Sequence, residues 1–264
     1  MSWERQINIK NPAQIKIMRE AGNINAIVLA AVRERLQPGV TTADLNAAAE
    51  EVLKSYECVS PFKGYGRPPF PASITVCIND EMVHGIPHPK RKLKEGDIVS
   101  IDCGTIHKGF VADSAFTAGV GEISPEATKL LEVTEGALYA GIDNMRKGKR
   151  TGDISAAIQN FVESHGLHVT REYTGHGVGQ KMHEGPQVPN IGVAGSGMLL
   201  RPGLTIALEP MVLVGTHETR VLPDKWTVVS ADGSLTAHFE HTIAVTEGEP
   251  LILTVLDHVD DQKV

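Results

Sequence analysis

The feature that most constrains the fold of this chain is an internal repeat. Residues 36–56 align without a gap with residues 145–165. Matching residues recur at a constant offset of 109, in the pairs Gly39/Gly148, Thr42/Thr151, Asp44/Asp153, Ala47/Ala156, Ala48/Ala157 and Ser55/Ser164. Two generic capped helices could share the threonine and the aspartate by chance, but the shared glycine, alanine pair and helix length favour a duplication. The sequence therefore predicts two related halves, at about 8–122 and 123–254.

Each half begins with two helices and continues with strands. Capping residues and apolar spacing predict a helix from Pro12 to before Pro38, one capped by Thr42 through Tyr56, one from Pro125 to about Arg146, and one capped by Thr151 to His165. Strands are expected at 74–79, 97–106, 110–120, 204–214, 226–231 and 237–245. The fold class is therefore α+β, with the sheets of the two halves meeting around a pseudo-twofold axis and a site between them.

Composition narrows the functional class. The chain has 264 residues, of which 41% are hydrophobic, and a net charge of −7. This acidic balance argues against DNA binding, which needs a basic surface. Three cysteines without metal-ligand or disulfide spacing suit a reducing compartment. No stretch approaches the roughly 20 apolar residues of a membrane span, and residues 1–12 lack an apolar signal core. We therefore expect a cytoplasmic protein.

Two aspartates are expected to lie together on one sheet face. Asp102 and Asp113 belong to neighbouring predicted strands joined by a turn at 107–109. Depending on the centre of that turn, Asp113 lies opposite Asp102 or opposite Gly104, and both registers put the two carboxylates on the same face. A third register would separate them. Because unpaired buried carboxylates repel each other, a divalent cation is the natural compensation.

The second half offers matching acids. Glu209 and Glu240 each lie within a predicted apolar strand, and Glu209 follows Asp102 by 107 residues, close to the repeat offset. His176 is flanked by glycines that allow close approach of backbone and ligand. Four carboxylates and one imidazole suit two divalent ions such as Mn, Fe, Co or Zn. We therefore predict a two-metal hydrolase.

Six segments of the chain resemble the type I methionine aminopeptidases. They are MVHGIP (82–87), VSIDCG (99–104), ADSAFT (112–117), TGHGVGQKMHEGP (174–186), LTIALEP (204–210) and HFEHT (238–242). The resemblance extends from about residue 8 to 254 and is closest to the minimal, bacterial-type form. It implies the pita-bread fold, in which two α+β halves form a single catalytic domain, here residues 1–264.

The resemblance also implies the roles of the predicted ligands. Asp102 would bind one metal through both carboxylate oxygens. Asp113 and Glu240 would bridge the two metals, and His176 and Glu209 would complete the shell of the other. A water held between the metals is the implied nucleophile.

Three residues have implied catalytic roles. Glu209 would move a proton from the water to the leaving amine. His84 and His183 resemble the two histidines of the family that bind substrate and stabilise the oxyanion without binding metal.

Apolar residues are implied to form the pocket for the methionine side chain: Tyr65, Phe70, Tyr173, Met182 and Trp226. Phe70 stands where tyrosine is common, and Met182 where phenylalanine is common. Residues 63–73 carry a short insertion relative to the shorter bacterial pattern. These aromatic residues could equally belong to an ordinary core.

The implied activity is removal of the initiator methionine from nascent proteins whose second residue is small. A monomer is expected, and a transient association with the ribosome is compatible with this activity. Two alternatives stay open: an Xaa-Pro aminopeptidase or prolidase of the same fold, and a non-catalytic binding protein on this scaffold.

Overall fold

A computed structural model describes residues 6–257 of the chain. The first five residues of the segment inspected for a signal sequence therefore lie outside the described part, as do residues 258–264. Within it, the four predicted helices are present: α1 at Pro12–Arg33, α2 at Thr42–Ser55, α3 at Pro125–Ile142 and α4 at Thr151–Ser164. Helices α1 and α3 end about four residues earlier than expected.

The caps of the repeated helices lie one residue before the predicted ones. The N-cap of α2 is Thr41, whose backbone N–H donates to the Asp44 carboxylate at 2.9 Å. The backbone N–H of Arg150 donates in the same way to Asp153 at 2.8 Å. Thr42 is therefore the first helical residue instead of the cap. The repeated aspartate closes the first turn in both halves, and its charge also favours the positive end of each helix.

The repeated threonines have a different task from the predicted one. The Thr42 hydroxyl accepts a hydrogen bond from the backbone N–H of His88 at 2.8 Å. The Thr151 hydroxyl accepts one from the N–H of Met198 at 3.0 Å. In both halves, the first residue of the second helix thus holds a distant loop against the helix end.

The strands are shorter and more numerous than the sequence indicates. The first half contains β1 (Ile74–Ile78), β2 (Glu81–Val83), β3 (Ile98–His107) and β4 (Phe110–Gly119). The second contains β5 (His168–Val169), β6 (Thr174–Gly177), β7 (Glu184–Pro189), β8 (Thr205–Leu208), β9 (Met211–Leu213), β10 (Thr219–Val221), β11 (Val228–Ser230), β12 (Thr236–His238), β13 (His241–Ala244) and β14 (Leu251–Ile252).

Two of the predicted strands are divided at the acids of interest. The predicted strand 204–214 is split into β8 and β9 by Glu209 and Pro210, and 237–245 is split into β12 and β13 by Phe239 and Glu240. The expectation that both glutamates lie inside strands is therefore wrong. Pro210 has no N–H to continue a ladder, and β8 and β9 belong to different sheets. Each glutamate thus lies where the chain changes sheets.

The sheets bring the candidate acids to one place. In the first half, β1, β3 and β4 form an antiparallel sheet in which Asp102 pairs with Ala115 and Gly104 with Asp113. This is the second of the two predicted registers, so both aspartates lie on one face, diagonal to each other. In the second half, the largest sheet has the order β14-β13-β8-β6-β7.

The two halves are hydrogen-bonded along a seam, formed by β4 on one side and β12 to β13 on the other. The backbones of Ala115 and Glu240 form an antiparallel bridge at its centre. On one side of the bridge, the Thr242 hydroxyl donates to the carbonyl of Asp113 at 2.8 Å and accepts from its N–H at 2.9 Å. On the other side, the Thr117 hydroxyl bonds the N–H and carbonyl of His238 in the same way. Threonine side chains thus replace missing backbone partners.

The helices cover the outer faces of these sheets. Helix α1 packs against β3 and β4, and α3 and α4 pack against each other and against strands of the second half. The main core cluster joins both halves and includes Val28, Leu45, Ile101, Leu138 and Ile158. No helix within residues 6–257 is both long and apolar enough to cross a membrane.

Candidate metal centre

A cavity of about 160 Å³ opens at the seam between the two halves. All five predicted ligands line it: Asp102, Asp113, His176, Glu209 and Glu240. Nε2 of His176 lies 3.5 Å from Oε1 of Glu209 and 3.9 Å from Oδ2 of Asp113. One ligand atom each of Asp113, His176 and Glu240 lies within 4.8 Å of the others, a spacing that a single metal ion can span.

The carboxylates of the cavity are poorly compensated by the protein. Oδ1 of Asp102, Oδ1 of Asp113 and Oε1 of Glu240 are buried and have no hydrogen-bond partner among the described residues. Native structures rarely leave such atoms without partners, so each one needs an explanation. Metal ions are the ordinary partners of oxygen atoms arranged in this way.

Burial raises the pKa of every one of these acids. Desolvation raises the pKa of Asp102 to about 7. Desolvation, reinforced by repulsion from neighbouring carboxylates, raises the pKa values of Asp113, Glu209 and Glu240 well above their ordinary range. Bound cations would favour the ionised forms and reverse these shifts. The donor set and its orphaned oxygens therefore fit divalent cations.

The position of His176 is set by its two glycine neighbours. A Cβ atom on Gly175 would lie 2.7 Å from the carbonyl oxygen of Ala207, and one on Gly177 would lie 2.2 Å from that of Gly185. These glycines therefore allow close approach of backbone to backbone. Nδ1 of His176 lies 2.9 Å from the carbonyl oxygen of Gly177. Because a carbonyl only accepts, Nδ1 carries the proton, and Nε2 presents its lone pair towards the acids.

His84 is held on the cavity wall in an unusual backbone conformation. Its φ is 61°, in the left-handed region that non-glycine residues seldom adopt. Its ring packs edge-on against Trp226 at 6.1 Å and Tyr173 at 6.0 Å between centroids. Desolvation, with a smaller contribution from His183, lowers the pKa of His84 to about 4. The ring is therefore neutral at pH 7.

His183 lies beside the ligand His176, with 4.4 Å between ring centroids. Nδ1 of His183 is 2.7 Å from the Tyr65 hydroxyl, which fixes the ring. Desolvation lowers the pKa of His183 as well. The next residue, Glu184, forms a buried ion pair with Lys10 at 2.6 Å, and this pair anchors the segment that carries His183.

Apolar side chains also line the cavity. Four of the five predicted pocket residues line it: Tyr65, Phe70, Met182 and Trp226. Phe70 packs edge-on against Trp226, with 5.2 Å between ring centroids. The fifth, Tyr173, is not in the cavity lining and contacts its wall through His84.

Three further residues at the site were missed by sequence reasoning. Phe62 and Thr75 line the cavity, and His238 faces the carboxylates of Glu209 and Glu240. Thr75 could have been found from the sequence as the polar residue of an apolar predicted strand. In the structure it pairs with Asp102 in the sheet. His238 carried a weaker signal, its position two residues before Glu240.

Comparisons with known proteins agree with this geometry. The pattern of metallopeptidase family M24 matches residues 16–247. A methionine aminopeptidase of Clostridium acetobutylicum is 48% identical over 95% of this chain and 100% of its own length. The crystal structure of a methionine aminopeptidase from Thermotoga maritima superposes with a TM-score of 0.92, at 43% identity, over 94% of this chain and 99% of that one.

The fold is also shared more widely. A prolidase from Pyrococcus horikoshii superposes with a TM-score of 0.74, but its sequence is only 22% identical. The superposition covers 95% of this chain and 64% of the prolidase. This likeness concerns the pita-bread fold alone. The family pattern and the two closely similar methionine aminopeptidases, each matched over almost its full length, show that this chain belongs to metallopeptidase family M24 and to its methionine aminopeptidases.

Proposed function

We propose that this chain hydrolyses the first peptide bond of polypeptides that begin with methionine and whose second residue is small. The observation that carries the proposal is one cavity lined both by acidic side chains, here called the acidic wall, and by apolar side chains, the apolar wall. An apolar wall containing Phe70, Met182 and Trp226 suits the unbranched thioether of methionine. The names of the similar proteins support the same substrate.

The acidic wall would hold two divalent ions. Their ligands would be Asp102, Asp113, His176, Glu209 and Glu240, with Asp113 and Glu240 shared between the ions. When bound, such ions polarise the scissile carbonyl and lower the pKa of water in the site. Oxygen-rich sites of this type accept Mn, Fe, Co or Zn, so metal availability would decide the occupant.

Glu209 is the proposed proton carrier. Its side chain is 14% exposed, against 2–3% for those of Asp113 and Glu240, so its carboxylate is the more accessible to water and substrate in the cavity. Burial already raises its pKa. A carboxylate in this position takes a proton from the attacking water and delivers it to the leaving amine.

His84 and His183 are the proposed substrate-binding groups. Their lowered pKa values make both rings neutral near pH 7, so that each can donate one hydrogen bond without adding charge to the site. A donor held by the Tyr65 hydroxyl or by packing against Trp226 needs little reorganisation as negative charge develops on the substrate carbonyl.

Two alternatives are less well supported. The prolidase likeness is limited to the fold, and this chain covers 64% of that protein. A binding protein without catalysis would not need five ligand-type side chains in one cavity.

We also propose that the chain is a single catalytic domain and a monomer. We propose that it acts in the cytoplasm on nascent chains, with a transient ribosome association. The bonded seam and three unpaired cysteines are compatible with this.

The proposed function is tested with synthetic peptides. Metal-free protein is reloaded with Mn, Fe, Co or Zn, its metal content is measured, and release of the first residue is followed for Met-Ala-Ser, Met-Leu-Ser, Lys-Ala-Ser and Ala-Pro-Ser. We expect fast release only from Met-Ala-Ser, and none from the matched variant Asp113→Ala. Preferential cleavage of Ala-Pro-Ser would establish the prolidase alternative. Inactivity with every metal would support the alternative of a non-catalytic binding protein.

A further inference from the structure

A buried histidine, His238, faces the acidic wall. The His238 side chain is 2% exposed, and its Nε2 has no hydrogen-bond partner among the described residues. Nε2 lies 3.6 Å from Oε2 of Glu209 and 3.9 Å from Oε2 of Glu240. A nitrogen buried among carboxylate oxygens is stabilised there when it carries a proton to donate.

The backbone of His238 is fixed from both halves. Its N–H and carbonyl are both bonded to the Thr117 hydroxyl, at 2.9 and 2.8 Å. On its other side, His238 pairs with Met211 of β9. The imidazole is therefore carried by a rigid part of the seam, as an effective positioning group requires.

His238 is not a member of the compact ligand cluster. That cluster consists of Asp113, His176 and Glu240, whose ligand atoms lie within 4.8 Å of one another. His238 instead lies across Glu209 from His176. Oε1 of Glu209 is 3.5 Å from Nε2 of His176, and Oε2 is 3.6 Å from Nε2 of His238. The two oxygens of one carboxylate thus have different imidazole neighbours.

We propose that His238 is a positioning residue that donates from Nε2 to Oε2 of Glu209. This rests on the proposed function, in which Glu209 and His176 bind the same ion. The present 3.6 Å is longer than a hydrogen bond, so the proposal requires the Glu209 carboxylate to move closer to Nε2 than it lies here. With Oε2 held by His238, Oε1 would be the oxygen left to bind a metal ion, and a coordination position would stay free for water or substrate.

The test compares His238→Ala with His238→Gln, because glutamine keeps an N–H donor on a side chain of similar reach. The surface variant His165→Ala is the matched control. Stepwise Mn²⁺ affinities of the metal-free proteins are measured by titration calorimetry, Co²⁺ absorption spectra report ligand geometry, and kcat and KM are measured on Met-Ala-Ser. Thermal unfolding without metal reports whether each variant folds.

We expect His238→Ala to weaken one of the two Mn²⁺ sites by about 10–100-fold, the usual effect of losing an outer-shell partner. The Co²⁺ spectrum should change, and kcat should fall much more than KM rises. His238→Gln should restore most of the affinity and rate. The proposal is overturned if His238→Ala binds both ions like the parent protein. It is also overturned if the glutamine variant, folded and equally stable, is no better than alanine, because packing would then be the role of His238.

These outcomes are separate from those for the proposed function. If the parent protein does not release methionine but its Mn²⁺ affinity depends on His238, the positioning role stands and the proposed substrate fails. If the parent protein releases methionine and His238→Ala has normal metal affinity, only the positioning role fails.

Discussion

Replacing Lys10 with methionine should destabilise the protein strongly, although Lys10 does not itself line the cavity. The Lys10 ammonium lies 2.6 Å from Glu184, and the two side chains are 4% and 2% exposed. Without the ammonium, the Glu184 carboxylate keeps one long hydrogen bond, from the N–H of Lys181 at 3.3 Å. Breaking a buried pair by removing one partner costs about 3–5 kcal/mol. In a chain of this size that lowers Tm by about 6–20 °C, at about 2–4 °C per kcal/mol.

The attraction of Glu184 does not fully offset the desolvation of the Lys10 ammonium. Desolvation lowers the pKa of Lys10 despite the attraction of Glu184, so the folded environment as a whole disfavours the charged ammonium. The double variant Lys10→Met with Glu184→Met removes both charges at nearly constant volume. It should therefore regain most of the lost stability, or exceed the parent.

Urea and thermal unfolding of the metal-free proteins measure these changes. The exposed pair Lys147–Glu247 is the matched control, because its distance is also 2.6 Å while its side chains are 58% and 74% exposed. Lys147→Met should cost about 0–1 kcal/mol. The reasoning is refuted if Lys10→Met costs no more than Lys147→Met, or if the double variant is as unstable as Lys10→Met alone.

Four further variants, one of them with a control, test the seam and the site. Thr242→Val orphans the N–H and carbonyl of Asp113 and should cost about 1–3 kcal/mol for each group, whereas Thr128→Val at an exposed hydroxyl should cost little in urea unfolding. Asp113→Ala should lose tight binding of both ions, and full occupancy by elemental analysis would exclude its shared role. Glu209→Gln should lose about 10²–10⁴-fold in turnover with KM little changed; near-normal turnover would assign the proton to another group. His183→Ala should keep both metals and lose about 10²–10³-fold in kcat; loss of one metal equivalent would make it a ligand.

The repeat and the aspartate pair could be predicted because their signals are local. Capping, a two-residue strand period and a short turn restrict Asp102 and Asp113 to a few registers, and one of the two favoured registers is present. These features depend on neighbours close in sequence, which is why a single sequence reveals them.

The divided strands and His238 could not be predicted in the same way. The two predicted strands of eleven and nine residues look continuous in the sequence, but the sheet that each segment joins is decided by partners far along the chain. Pro210 was a signal for one break, since proline interrupts a ladder. The importance of His238 depends on the carboxylate of Glu209, which belongs to a separate strand connection and approaches only in the folded chain.

Because the proposed metal centre lies at the seam, metal binding should affect the stability of the folded chain. Asp113 and Glu240 lie on its two sides and are separated by about 130 residues of chain. An ion held by both in the folded chain would be released on unfolding, so its binding free energy would add to the stability of the fold. At a free metal concentration about 100 times Kd, this contribution is about 2.7 kcal/mol. A chelator would therefore destabilise this protein as well as inhibit it, because it would remove the ions that connect one half to the other.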